Sequence, residues 1–427
     1  MPQNQSKNPR KPFAFLAALA AMFFAVDCAA ASKNANRFSI VAAGEEHSFA
    51  IDEDGKLYAT GHNFKGQLGF GDRTDRNAFM PVKSDKKIAR IATSGDHSLA
   101  LSSDGAVYAA GYNFSGQLGL GISGEEYQRK NDASIFRFFF RRKEQADRLG
   151  FTRVKSLRGK TIVAVATGDH YSLALDSDGK LYAAGDIGRL GLGDTACRDP
   201  FSLIPPYCDT FTLIPPFSDK KIVAIAAGDH HSLALDIDGK IYAIGSNNEG
   251  QLGLGDTSPR KTWTPVPPFS DRKIVAIAGS WSHSLALDEN CKVYATGFNG
   301  NGKLGLGDRA NRASFALVSS LADKKIVAIA AGYQYSLAID ANGAVYATGD
   351  NEYGRLGLGD TDERKTWTLV SSLEGRKIVA IAAGYFHSLA LDTDGKIYAA
   401  GRNFVGQLGL SDAKDRNVFT PVILSDR

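Results

Sequence analysis

Short apolar segments alternate with polar turns along most of the chain, and the pattern recurs in blocks of about fifty residues. Each block opens with a run such as KIVAIAAG, which is apolar on both alternating faces, as in a strand buried on both sides. The segments HSLALD and KIYAAG follow, and then a weaker one such as TWTPV at 262–266. No window shows the 3.6-residue period of a helix. The pattern predicts four short antiparallel strands in each block.

The residue that precedes each SLAL-type segment marks seven repeats: His47, His97, Tyr171, His231, His283, Tyr335 and His387. Their spacings are 50, 74, 60, 52, 52 and 52 residues. An insertion at about 122–150 and a duplicated loop at 201–216 explain the two long spacings. Seven four-stranded repeats predict an all-β fold, a seven-bladed β-propeller over residues 38–427. We expect complete first and last blades and a ring that closes by side-chain packing alone.

The repeated polar residues do not form a catalytic or metal site in this pattern. Each histidine is next to a serine on a strand, so the two side chains point to opposite faces and cannot work as base and nucleophile. Tyrosine replaces this histidine in two repeats, which favours a structural role, with the polar tip bonding a loop backbone. The Asp-x-Asp-Gly segments predict two-residue hairpins, which offer too few oxygen atoms for calcium. The sequence predicts no enzyme activity, cofactor or metal.

Two kinds of loop fall on the same face of such a blade: the loop from first to second strand and the loop from third to fourth. The first kind carries a dipeptide that varies between repeats, acidic in repeats 1 to 4 and aromatic in repeats 5 to 7. Phe404 lies on a nearby loop of the second kind. Loop aromatics are typical of protein-binding hot spots, whereas rings folded inward to plug the central channel are the alternative. The predicted partner-binding anchors are Trp281, Tyr333, Tyr385 and Phe386, with Phe298 and Tyr353 beside them on loops of the second kind. The predicted acidic partner-binding residues are Glu45, Glu46, Asp96 and Asp229.

The first 31 residues have the three-part layout of a secretory signal peptide. Lys7, Arg10 and Lys11 precede the apolar run PFAFLAALAAMFFAV, and the small residues of DCAAAS follow it. We expect a signal peptide at 1–31, a short linker at 32–37 and a periplasmic or extracellular mature chain. An uncleaved membrane span, for which this run is short, and lipidation of Cys28 are the alternatives.

Charge and cysteine content add three expectations. Residues 1–31 contain three basic and one acidic residue, so 47 basic and 45 acidic residues remain, and bulk attraction to nucleic acid is not supported. Cys197 and Cys208 bracket the first copy of the duplicated loop; a disulfide in an oxidising compartment is favoured over two free thiols, and Cys291 remains a lone thiol. The basic insertion, with IFRFFFRRK at its centre, either clamps a partner, contacts an anionic membrane or packs over a neighbouring blade.

The string A-G-x-x-H-S-L-A-L-x-x-D-G-x-x-Y-A-x-G-x-N-x-x-G-Q-L-G-L-G-D resembles the repeat of the regulator of chromosome condensation family in all seven units. The resemblance implies a seven-bladed propeller that binds proteins. Some members are guanine-nucleotide exchange factors, others sit in ubiquitin ligases, and the secreted β-lactamase inhibitory protein II blocks an enzyme with one face. The leading interpretation is an exported, monomeric, non-enzymatic protein-binding propeller, which could inhibit its partner. The alternative is an exchange factor for a small GTPase, secreted as an effector if the source is bacterial.

Overall fold

The computed structural model describes residues 37–121, 147–186, 207–215 and 220–423. These residues form seven four-stranded antiparallel sheets, each built from strands consecutive in the chain. The predicted seven-bladed all-β propeller is therefore confirmed. The predicted signal peptide, the central part of the insertion, and Cys197 lie outside the described residues.

The strands of blades 1 to 4 have the following bounds: β1 (Phe38–Ala43), β2 (His47–Asp52), β3 (Leu57–Gly61), β4 (Arg76–Pro81); β5 (Ile88–Thr93), β6 (His97–Ser102), β7 (Val107–Gly111), β8 (Arg148–Arg153); β9 (Ile162–Thr167), β10 (Tyr171–Asp176), β11 (Leu181–Asp186), β12 (Tyr207–Leu213); β13 (Ile222–Ala227), β14 (His231–Asp236), β15 (Ile241–Gly245) and β16 (Arg260–Pro265).

The strands of blades 5 to 7 have the following bounds: β17 (Ile274–Gly279), β18 (His283–Asp288), β19 (Val293–Gly297), β20 (Arg312–Leu317); β21 (Ile326–Ala331), β22 (Tyr335–Asp340), β23 (Val345–Gly349), β24 (Arg364–Leu369); β25 (Ile378–Ala383), β26 (His387–Asp392), β27 (Ile397–Gly401) and β28 (Arg416–Pro421). Single 3-10 turns lie at Lys155–Leu157, Ser319–Leu321, Glu352–Gly354 and Ser371–Leu373.

The first strand of every blade contacts the first strand of the next, and β25 contacts β1, so the ring is closed. Blades 1 and 7 are each complete, as expected. Closure is not by side-chain packing alone, however. The backbone N–H of Tyr385 donates to the carbonyl of Gly44 at 3.2 Å, and that of Ser411 donates to Asn77 at 2.7 Å. Because the last blade meets the first with the same loops that join other blades, their backbone groups come within bonding distance.

The hydrophobic core is divided into seven clusters, one between each pair of neighbouring blades. The cluster that closes the ring packs Phe38, Tyr58 and Phe79 of blade 1 against Leu389 and Leu391 of blade 7. Every residue of the second strands is buried, as in β2 and β26. Each buried leucine contributes about 1.5–3 kcal/mol, so these clusters hold neighbouring blades together.

The hairpins between second and third strands have three-residue loops, not the two-residue loops predicted. In blade 1 the N–H of Asp52 donates to the carbonyl of Lys56 at 3.1 Å, which leaves three residues in the loop. The Asp52 carboxylate accepts from the N–H groups of Asp54 and Lys56 at 3.0 and 2.8 Å. This aspartate therefore satisfies backbone donors that the longer loop would leave unpaired.

Strands adjoin both of the irregular segments that the sequence singles out. Strand β8 begins at Arg148, at the end of the insertion placed at about 122–150. Strand β12 takes in part of the second copy of the duplicated loop. Cys208 is buried in β12, and the predicted Cys197–Cys208 disulfide stays a prediction. Cys291 is a free thiol in a left-handed conformation, with φ of 65°, at the position glycine takes in other hairpins.

Candidate functional site

The loops from first to second strand and from third to fourth strand share one side of the ring, here named the loop face. A backbone hydrogen bond joins the two loops in every blade. In blade 7 the N–H of Arg402 donates to the carbonyl of Phe386 at 2.9 Å, and in blade 1 the N–H of His62 donates to Glu46 at 2.9 Å. The repeated frame therefore holds each variable dipeptide beside the neighbouring loop.

Buried polar side chains fix the base of each loop between third and fourth strands. In blade 7 the fully buried Asn403 donates to the carbonyl of Asp412 at 2.9 Å and accepts from the N–H of Leu408 at 2.9 Å. Arg416 then donates to the carboxylate of Asp412 at 2.6 Å. Phe404 lies at the tip of this loop and is free to vary between blades because the frame bonds do not use its side chain.

The first residues of the dipeptides point toward the axis of the ring. The phenol of Tyr385 in blade 7 donates to the carboxylate of Asp229 in blade 4 at 2.6 Å. Blades 4 and 7 are not neighbours, so this bond crosses the mouth of the central channel. Tyr385 thus covers part of the mouth, as in the inward-folded alternative considered for these rings.

Three aromatic rings on consecutive blades form a continuous stack at this mouth. The ring centroids of Trp281 and Tyr333 are 4.7 Å apart, and those of Tyr333 and Tyr385 are also 4.7 Å apart. The interplanar angles are 25° and 21°. Each offset pair contributes about 0.5–1.5 kcal/mol beyond its buried area. The half-buried stack is a preformed apolar wall along one half of the mouth.

The other half of the mouth is acidic and is formed by Glu45, Asp169 and Asp229 of blades 1, 3 and 4. Gly95 of blade 2 leaves a gap between the first two: a Cβ atom there would lie 3.3 Å from Asp169 Oδ1 and 4.0 Å from Glu45 Oε2. Glu45 and Asp169 are both half-buried. The mouth therefore has an apolar half and a carboxylate half that meet at the Tyr385–Asp229 bond.

Protonation at the mouth is shifted by burial and by like charge. Burial, followed by the neighbouring carboxylates of Asp96, Glu46, Asp229 and Asp169, raises the pKa of Glu45 to about 7. Burial beside Asp229 raises the pKa of the Tyr385 phenol far above its ordinary value. Tyr385 therefore remains a hydrogen-bond donor throughout the ordinary pH range, while Glu45 changes charge near neutrality.

The second residues of the dipeptides point away from the axis. The ring of Phe386 meets Tyr353 edge to face at 6.2 Å and lies 5.3 Å from the guanidinium of Arg402. Arg402 also forms an ion pair with Glu46 at 3.0 Å, and Asp96 accepts from Gln67 at 3.3 Å. The predicted partner residues therefore separate into an inner set at the mouth and an outer set between the blades.

Two buried cations in the outer set are not part of the sequence prediction. Lys303 is fully buried, and its Nζ lies 4.5 Å from the ring centroid of Phe298 and 5.1 Å from that of Trp281. Burial lowers its pKa to about 7. Arg355 is 1% exposed and donates to the carbonyl of Tyr385 at 3.2 Å. A sequence signal does exist, because both residues replace the glutamine of the GQLGLG segment in repeats 5 and 6.

Among the described residues, the most exposed aromatic rings lie on blades 7, 1 and 2, whereas the predicted aromatic partner residues lie on blades 5 to 7. Phe404, Phe64 and Phe114 occupy equivalent loop tips and are 71%, 58% and 47% exposed. Arg402 and Lys65 lie over the rings of Phe404 and Phe64 at 5.7 and 5.1 Å. Phe64 and Phe114 are absent from the sequence prediction, although each follows the frame asparagine directly. The aromatic surface of the loop face is therefore wider than predicted.

The repeated histidines pair with serines of neighbouring blades, which the sequence prediction does not include. The imidazole of His387 donates from Nε2 to the hydroxyl of Ser48 at 2.7 Å, and Ser48 donates to the carbonyl of Gln407 at 2.7 Å. His97, His231 and His283 bond the next blade's serine at 2.8 to 2.9 Å, and His47 bonds Thr93 and Ser98.

The two tyrosines at this position complete the ring of contacts. Tyr335 donates to the carbonyl of His387 at 2.6 Å and accepts from Ser388 at 2.9 Å. The predicted hydrogen bond to backbone is therefore right for the tyrosines, whose phenols donate to carbonyl groups. It is wrong for the histidines, because the shorter imidazole ends at the serine hydroxyl. The histidine and serine side chains are fully buried, which keeps substrate away and supports a structural role.

Within the described ranges, no group of three or more histidine, cysteine or acidic side chains is arranged to hold a metal ion. The same part of the chain contains no helix that is long and apolar enough to cross a membrane.

The strands form a closed seven-bladed propeller, and the loops at one end of the blades form the loop face. The RCC1-like domain model matches residues 209–426, and the regulator of chromosome condensation (RCC1) repeat matches residues 38–67, 88–117, 54–101 and 178–235. The chain belongs to the RCC1 repeat family.

Among curated proteins, the chain is 33% identical over 273 residues to the ultraviolet-B receptor UVR8 of Arabidopsis thaliana, covering 63% of this chain and 60% of UVR8. It is 32% identical over 265 residues to the E3 ubiquitin-protein ligase HERC2 of Homo sapiens, covering 60% of this chain and 5% of HERC2. The chain thus spans less than two thirds of either relative.

Solved structures share the fold. Yeast RCC1 (Prp20), solved bound to Kap60, has a TM-score of 0.73 at 21% identity, covering 100% of this chain and 91% of that one. Prp20p of Saccharomyces cerevisiae has a TM-score of 0.70 at 23% identity, covering 91% of this chain and 88% of that one.

Proposed function

We propose that this chain is an exported, non-enzymatic propeller that binds a protein partner with the loop face. The observation that carries the proposal is the gathering of aromatic rings on that face. Phe404, Phe64 and Phe114 are exposed at its rim, while Trp281 and Tyr333 belong to the stack at its centre. Exposed aromatics grouped on one face are typical of interaction sites.

The similar proteins support protein binding as a use of this fold. One of the yeast structures is a complex with Kap60, and the other is described by its binding to Gsp1p and histones. Those partners belong to those proteins. What the present chain shares with them is the scaffold, and its own partner is read by its own loop tips. Blocking the partner's activity is one consequence that such binding would have.

Truncating a loop-face anchor is expected to weaken partner binding about thirtyfold, because losing a central aromatic typically costs about 2 kcal/mol. Trp281→Ala and Phe404→Ala test the centre and the rim. The partner is captured with the mature chain, purified, and titrated by calorimetry or surface plasmon resonance. Thr393→Ala on the opposite face is the matched control, because the Thr393 contacts use its backbone groups.

Normal binding by both loop-face variants would contradict binding through the loop face. Loss of binding in the Thr393→Ala control would then place the partner on the opposite face. A folded variant is verified by its unchanged unfolding midpoint. The exchange-factor alternative has a separate readout, the release of labelled nucleotide from a panel of small GTPases. If the chain accelerates nucleotide release from a GTPase and Trp281→Ala does not, nucleotide exchange is the activity of the loop face and simple binding is not.

Export is expected to depend on residues 1–31. Fusing these residues to alkaline phosphatase that lacks its own leader should give active enzyme outside the cytoplasm, with cleavage after Ala31. Leu19→Arg, which breaks the apolar run, should abolish this activity at equal expression. Mass spectrometry of the exported fusion identifies the cleavage site. Activity that survives Leu19→Arg would contradict a signal peptide here.

A further inference from the structure

We propose that the mouth of the central channel receives a basic side chain, lysine or arginine, from the protein partner. This inference rests on the proposed function and names the chemistry of the group that the loop face recognises. The hydrocarbon part of the side chain lies against the stack of Trp281, Tyr333 and Tyr385. Its charged end bonds the carboxylates of Glu45 and Asp229.

The geometry places both required surfaces within the reach of one side chain. The aromatic stack covers three consecutive blades, and its last ring is hydrogen-bonded at 2.6 Å to Asp229. An apolar wall and a carboxylate therefore meet directly. Lysine and arginine fit an apolar wall beside a carboxylate, because each has a long apolar stem that ends in a cation. Aromatic faces also attract that cation.

Charge complementarity favours a basic occupant over an apolar one. Among the described residues, the carboxylate of Glu45 makes no hydrogen bond or ion pair, and the groups that act on its charge are carboxylates. The basic residues nearby are already engaged: Arg402 pairs with Glu46, and Lys303 is buried over Phe298. Asp169 is next to the imidazole of His170 at 3.1 Å. The negative charge of Glu45 is therefore left for a partner to compensate.

The titration of Glu45 adds a pH signature. The charged groups that face it are Asp96, Glu46, Asp229 and Asp169, and together with burial they raise its pKa to about 7. Glu45 is therefore largely neutral below neutrality and charged above it. A cation in the mouth should bind a few-fold more tightly at pH 8 than at pH 6.

The test compares two small probes, N-acetyl-lysine methylamide and N-acetyl-norleucine methylamide, which differ by the ammonium group. Trp281 reports binding through its fluorescence, since the other two tryptophans, Trp263 and Trp367, are buried between blades at 7% exposure. We expect saturable binding of the lysine probe in the millimolar range and no saturable change with norleucine. The double variant Glu45→Gln, Asp229→Asn should weaken the lysine probe at least fivefold. Asp394→Asn on the opposite face should leave it unchanged.

The outcomes distinguish failure of the basic side chain from failure of the proposed function. Equal binding of both probes, or no saturable binding of the lysine probe, overturns a basic occupant. If the double variant also binds the purified partner normally while Trp281→Ala does not, the loop face stands and only the basic side chain is wrong. If Trp281→Ala and Phe404→Ala both bind the partner normally, the proposed function itself fails, whatever the probes show.

Discussion

Lowering the pH from 6.5 to 5 should reduce the free energy of unfolding by about 5 kcal/mol. The cause is the ring of five buried histidines between the blades, His47, His97, His231, His283 and His387. Burial lowers the pKa of four of them to about 3 and that of His283 well below its ordinary value. Urea titrations at a series of pH values, followed by circular dichroism, measure the change.

The sign follows from where protons bind. In the unfolded chain each imidazole has a pKa near 6.5, so it takes up a proton as the pH falls through that value. The native imidazole stays neutral down to about pH 3 because burial disfavours its charged form. In His387, for example, Nε2 donates to a serine and Nδ1 has no partner. Stability is therefore fully present above pH 6.5 and is lost as the pH falls below it. Glu45, with its raised pKa, offsets part of this loss.

His387→Tyr is the matched variant, because the chain already uses tyrosine at this position in blades 3 and 6. The rings of Tyr171 and Tyr335 lie against glycines of their own blades, where an added Cβ atom would be 2.1 Å and 2.2 Å from the ring, and Gly384 is the equivalent residue beside His387. This variant should keep its stability at pH 8 and lose about a fifth of the pH dependence. A free energy of unfolding that is flat between pH 7 and 5 in the unmodified chain would contradict neutral buried histidines.

Replacing Gly401 by alanine should destabilise the propeller by about 3–5 kcal/mol. Gly401 ends β27 with a φ of 109°, a conformation that residues with a side chain rarely adopt. A Cβ atom there would lie 2.4 Å from the carbonyl oxygen of Phe386 and 2.7 Å from the Cα of His387. Both contacts are with backbone, so relief requires the dipeptide loop to move. Chemical unfolding of the variant measures the cost.

Gly71→Ala separates the two contributions. Gly71 has a φ of 90°, but a Cβ atom there would meet nothing within 4 Å. Its cost should be about 1–2 kcal/mol, from the backbone conformation alone. If both alanine variants lose the same free energy of unfolding, the close approach of the Phe386 loop is not the reason that position 401 requires glycine. Gly401→Ala should also weaken partner binding in the remaining folded protein, because Phe386 moves with its loop.

The architecture is predictable from the sequence because its signals are local. The strand KIVAIAAG and the frame around it repeat with the length of one blade, so blade number and strand order follow from counting. Closure of the ring adds backbone bonds such as that from Tyr385 to Gly44, which no single repeat can show. The three-residue hairpin is also hidden, because the Asp52 side chain replaces hydrogen bonds that a shorter loop would make within the backbone.

The loop face is predictable as a face, but not in its detail. Alternation along the strand places Tyr385 and Asp229 on it, yet they lie 156 residues apart, and their bond depends on the diameter of the ring. Sorting the dipeptides into inner and outer residues requires that diameter. Lys303 and Arg355 are different: their substitution for glutamine is visible in the repeat alignment, but burial of a cation under an aromatic ring is evident only once blades 5 to 7 are assembled.

Blade 2 shows how much chain the propeller can carry at one loop. Between β7 and β8, 36 residues connect Gly111 to Arg148, whereas 14 connect Gly61 to Arg76 in blade 1. The pairing of β7 with β8 nevertheless matches that of β3 with β4, including the same shift before the final glycine. Because closing a loop of doubled length costs only about 0.6 kcal/mol more, this junction should tolerate inserted sequence. Domains or tags grafted there should leave the seven-fold scaffold intact, which makes the junction a natural entry point for engineering.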